Sequence, residues 1–131
     1  MNSDPRWNAL GAASDELVAA MFTFSRADTP LNKARVERAI DVYVDRLAPV
    51  VGDVFAFRYH VSFHLFLESI ERRQPLIAAL AARGADAVDA ELVGRLESDA
   101  AAAMQAFEAA EAAMLAQLEA VARGDGERRD S

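Results

Sequence analysis

The 131-residue chain contains no cysteine, which excludes disulfides, thiolate metal sites and thiol nucleophiles. It has no apolar run of about 18 residues, so nothing in it reads as a membrane span. The opening Met1-Asn2-Ser3-Asp4-Pro5-Arg6 lacks the basic patch and apolar stretch of a secretion signal. The expected compartment is therefore the cytoplasm, which the missing cysteine suits. Positive charge is also scarce: 14 basic residues stand against 21 acidic ones, for a net charge of −7. A nucleic-acid binder draws its affinity from neutralising phosphates, so this balance argues against nucleic acid and favours a basic protein partner. There is no Gly-rich phosphate loop and no strand-turn-helix setting for a nucleophilic serine. No catalytic residue and no organic cofactor are expected.

What the chain does have is helical periodicity. It predicts an all-α fold: an antiparallel bundle of four main helices plus one short helix, with a long C-terminal helix. A single domain over residues 1–123 precedes a charged tail over 124–131, expected to be disordered. Trp7, Leu10, Ser14, Leu17, Met21 and Phe24 alternate spacings of three and four along a first helix over 5–25, with Val18 and Phe22 widening the flank. Thr29-Pro30 is a good helix start, and Val36, Ile40, Tyr43, Val44 and Leu47 form the buried stripe of a second helix that ends before Pro49. The turn follows over 49–53, with Gly52 free to take a positive φ and Asp53 placed to cap.

The third helix, over 54–73, is the most apolar part of the chain and holds four of its seven phenylalanines. At 100° per residue, Phe55, Tyr59, Phe63, Phe66, Leu67 and Ile70 form one broad face, while Val54, Val61 and Leu65 form a second, narrower one. Gln74-Pro75 breaks or kinks this helix, and a short helix over 75–83 is expected before Gly84.

A last helix is expected over 86–123, and its residues 86–119 carry the whole net charge, with eight acids against Arg95 alone. Asp86 or Asp89 caps the helix. Val93, Leu96, Ala100, Phe107, Met114, Leu118 and Val121 share one face; Glu111 sits among its large residues. On the opposite face Ala102, Ala106, Ala109, Ala113, Ala116 and Ala120 recur in a narrow heptad seam. The seam either meets another chain or faces water, because alanine is the best helix former and is tolerated at exposed positions. Unbroken, this helix is on the order of 55 Å long, against about 30 Å for each of the first three. The excess either projects to a partner or is lost to a break near Gly94 to Ser98.

Two sets of candidate functional residues follow. Phe57, Val61 and Leu65 on the third helix, with Ala102, Ala106, Ala109, Ala113, Ala116 and Glu108 on the last, are the candidate interface of a homodimeric, non-enzymatic interaction module of adaptor, chaperone or inhibitor type. The alternative is a bundle that binds a divalent metal or small ligand. His60, His64 and Glu68 are spaced i, i+4, i+8 on one helix, and Glu37, Asp41 and Asp45 repeat that spacing on the second. An antiparallel hairpin about Val51 would set Asp41 level with His60 and Glu37 level with His64. Against this, Asp41 and Asp45 point away from the buried stripe, and the Glu-x-x-His spacing of bundle carboxylate centres is missing. The histidines then serve as structural partners of carboxylates across the hairpin.

Overall fold

The computed structural model describes residues 5–84, 86 and 89–130, with side chains as far as Gly124 in the last helix. The described chain forms four helices, α1 Pro5–Arg26, α2 Pro30–Val51, α3 Asp53–Arg83 and α4 Ala90–Asp130. No strand occurs among the described residues, and the fold is an all-α helical bundle. Beyond Gly124 the side chains of the charged tail expected over 124–131 lie outside the described residues.

The junctions follow from local chemistry. Thr29 is extended, and its hydroxyl accepts the Asn32 N–H at 3.1 Å, capping α2, whose first residue is Pro30. Gly52 has φ +92 and donates its N–H to the Ala48 carbonyl at 2.9 Å, so the turn into α3 uses a conformation that side chains resist. Gly84 closes α3 in the same way, with φ +88 and a 3.0 Å bond to the Leu80 carbonyl. Asp89 is the cap of α4: its carboxylate accepts the Glu91 N–H at 2.9 Å.

Two expected boundaries are absent, and a third break that the sequence leaves open does not occur. The second helix does not stop before Pro49 but runs to Val51. There is no separate short helix over 75–83, because α3 passes through Pro75 and continues to Arg83. The last helix is unbroken through Gly94 and Ser98. Each of these residues weakens a helix by removing one hydrogen bond or adding backbone freedom, and that local loss is smaller than the cost of nucleating a new helix. At 41 residues α4 is about 60 Å long, against about 33 Å for α1 and α2.

The chain divides into two units, Met1–His60 with Ala113–Ser131, and Val61–Ala112. In the first, α1 packs along α2. The buried residues of α1 are Leu10, Ala13, Leu17 and Ala20, a stripe rotated from the expected one: Met21, Val18 and Phe22 are exposed. Ala13 and Ala20, with the buried Ala39 of α2, are small enough to let helices approach closely. Ile40 and Leu47 are wholly buried, each contributing about 1.5 to 3 kcal/mol of apolar burial. Tyr43 of α2 meets Tyr59 of α3 edge-on, with ring centroids 5.8 Å apart.

In the second unit, Phe107 of α4 joins two rings of α3. It lies parallel to Phe66 at 5.7 Å and edge-on to Phe63 at 5.7 Å. Further along, Arg73 Nη1 lies 3.3 Å from a Glu97 carboxylate oxygen. Phe63 opposite Phe107 and Arg73 opposite Glu97 fit one antiparallel register about residue 85. The buried Ser69 hydroxyl is satisfied within its helix, donating to the Phe66 carbonyl at 2.6 Å. Glu111 is half-buried and forms no ion pair among the described residues.

Candidate functional site

The pairs across Gly52 fix how α2 and the start of α3 face each other. Tyr43 opposes Tyr59, and Asp41 opposes His60, both giving an antiparallel hairpin centred near Val51. This register puts Asp41 level with His60, as the spacing predicts. The His60 Nε2 atom lies 2.8 Å from Asp41 Oδ1. The Asp41 side chain is 60% exposed and that of His60 32%, so the carboxylate leans off the water-facing side of α2 onto a half-buried imidazole.

His64 follows one turn later on the same unbroken helix and is half-buried. Of the candidate ligands, Asp41 and His60 are brought together within one compact unit, whereas His64 belongs to the second unit. The other candidate ligands do not join them. Glu37 pairs with Lys33 at 3.2 Å, one turn back along α2. Glu68 pairs with Arg72 at 3.6 Å, one turn on along α3. Asp45 pairs with its neighbour Arg46 at 2.7 Å. In each case a cation at i+1 or within one turn is in easier reach than the histidines, and such local pairs need no tertiary contact. The neighbouring Arg and Lys residues were the signal in the sequence for setting these acids aside.

The candidate interface residues separate into two kinds. On α3 the outer face is bare: Val54 is 78% exposed, Phe57 68%, Val61 38% and Leu65 53%. Arg58, Glu68 and Arg72 lie along the same face and are also exposed. On α4, Ala102, Ala106, Ala109 and Ala116 are exposed, as is Glu108, while Ala113 is half-buried. Of the α4 face set by spacing, Ala100 and Met114 are buried and Val93, Leu96, Phe107, Leu118 and Val121 half-buried, while Leu92, Met104 and Leu115 are exposed. A second apolar patch, Val18 and Phe22 on α1, is not evident from the sequence because periodicity assigns both to the flank of the core. The Arg26 guanidinium stacks over the Phe22 ring at 5.4 Å, which covers part of it.

No known protein family, curated protein or solved structure matches the chain. Its own geometry therefore has to carry any reading of what it does. Among the described residues no helix is long and apolar enough to cross a membrane.

Proposed function

We propose that the chain is a non-enzymatic interaction module that pairs with a second copy of itself through the outer face of α3. The observation that supports this reading is the exposed row Val54, Phe57, Val61 and Leu65, four large apolar side chains on the face opposite the buried Ala56, Tyr59, Phe63 and Leu67. An apolar row along one helix leaves a sizeable surface in water unless something covers it. Its spacing is three, four and four, the seam along which helices pack against one another.

A second copy would complement the centre of this row by charge. If two α3 helices run antiparallel about a two-fold between Val61 and Leu65, Val61 of each copy faces Leu65 of the other, and Arg58 faces Glu68. Opposite charges at both ends of a self-complementary apolar centre fix the register and disfavour a parallel pairing, which would set like against like. The acidic outer side of α4, where Glu108 stands beside the alanine seam, would remain open to a basic protein.

Static light scattering at tens of micromolar tests the reading. An apolar centre predicts about twice the 14.2 kDa chain mass in both low and high salt. A mass near 14.2 kDa in both would remove it.

A further inference from the structure

We infer that the groove between α1 and α2 binds a small monocarboxylate with a compact apolar body, seated on Ala13, Ala39 and Val42 with its carboxylate on the Arg38 guanidinium. This goes beyond the pairing of α3 and does not depend on it. The groove is formed within one compact unit and is lined by Ala13, Glu16, Arg35, Arg38, Ala39 and Val42. Its floor follows from the close packing of the two helices, because the buried Ala13 and Ala39 are too short to fill the space beside them. The cavity volume is 190 Å³, and about 150 Å³ is enough to hold a benzene ring. Val42, 48% exposed, leaves one apolar wall in water.

The two arginines of the groove differ in what they are free to do. All three nitrogens of Arg35 are engaged: Nε and Nη2 hold Glu16, and Nη1 donates to Thr23 Oγ1 at 3.3 Å. Arg38, one turn on, is exposed and makes no ion pair among the described residues. The acid nearest to it by helical spacing, Asp41 at i+3, is turned to His60 at 2.8 Å. A guanidinium stays charged at every accessible pH and presents a flat pair of donors that matches a carboxylate. A permanent cation therefore stands unneutralised beside an apolar recess.

That combination selects the ligand. A neutral apolar molecule leaves the cation unused, and a simple anion leaves the apolar floor in water. An acidic protein or polyanion meets Glu37, Asp41 and Asp45 along the same helix, where like charges oppose it. One carboxylate on a body of ring size satisfies both features, and the few atoms in contact hold the affinity to the order of 0.1 to 1 mM.

Sodium benzoate titrated into the full chain, followed by amide NMR shifts, tests the site, with far-UV circular dichroism to show that each variant keeps its helix. Saturable shifts centred on Ala13, Arg38, Ala39 and Val42 are expected, with a Kd on the order of 0.1 to 1 mM. Benzyl alcohol has the ring without the charge and sodium acetate the charge without the ring, so each should bind at least about tenfold more weakly. Arg38→Gln should weaken benzoate about tenfold or more, whereas Arg95→Gln, an exposed arginine of the other unit, should leave it within about twofold. Shifts that do not saturate by about 20 mM overturn the inference. So does equal binding of either control probe, or benzoate binding that survives Arg38→Gln in a folded variant.

Discussion

The Arg35 guanidinium grips both carboxylate oxygens of Glu16, with Nε to Oε1 at 2.9 Å and Nη2 to Oε2 at 3.3 Å, joining α2 to α1. Hydrogen bonds to Arg35, reinforced by its charge and opposed by partial desolvation, hold the Glu16 carboxyl below its ordinary range. The same pairing raises Arg35, which stays charged throughout the accessible pH range. A depressed carboxyl contributes stability that is present above the unfolded value of about 4.3 and is lost as pH falls through the lower folded value. Glu16→Gln should therefore lower the urea midpoint at pH 7 but leave it close to the parent below about pH 3. An equal difference at both pH values would show that the pair contributes by packing alone.

Phe107 is the α4 side chain that stacks against two rings of α3, parallel to Phe66 and edge-on to Phe63. Truncating it removes burial and both ring contacts. Phe107→Ala should cost roughly 2 to 4 kcal/mol in urea unfolding, the lower part of the range for core phenylalanines because the residue is half-buried. A loss under about 1 kcal/mol would mean that the ring cluster does not hold this unit together.

Pro75 lies inside a continuous helix, where it supplies no N–H and crowds the turn before it. The residue is exposed, so no packing is lost with its ring. Pro75→Ala should stabilise the protein by about 1 to 3 kcal/mol and raise its helical circular dichroism slightly. A destabilised variant would show that the native helix needs the proline at that point.

The same residues separate what sequence pattern specifies from what packing decides. The helix faces of α2 and α3 are legible because each buries a long apolar stripe whose period leaves no choice, whereas α4 buries only Ala100, Ala110 and Met114. The hairpin register is legible because Gly52 is the only residue near Pro49 suited to a positive φ, which places Asp41 opposite His60. Helix ends are misread at Pro49 and Pro75, and continuity through Gly94 is left open, since a propensity penalty is local while continuity is decided by the cooperativity of the flanking turns. The α1 stripe is misread for another reason: periodicity rewards large residues, but close contact between α1 and α2 selects Ala13 and Ala20 and turns Met21 outward. At the metal candidates, spacing groups Glu37 and Glu68 with the histidines, whereas competition from Lys33 and Arg72 separates them. Spacing alone does not weigh one partner against another.

Pairing of the bare α3 face with a second copy is tested most directly by one substitution. Val61 stands in the proposed seam and is partly exposed, so Val61→Glu leaves the chain's interior intact while setting a carboxylate against Leu65 of the second copy, where it would lose water without gaining a partner. Sedimentation equilibrium over micromolar to hundreds of micromolar is the measurement. The expected result is a dimer for the parent chain and a monomer of about 14.2 kDa, with unchanged helical circular dichroism, for the variant. A variant that remains dimeric, or a parent chain that sediments as a monomer throughout, would contradict the proposed pairing.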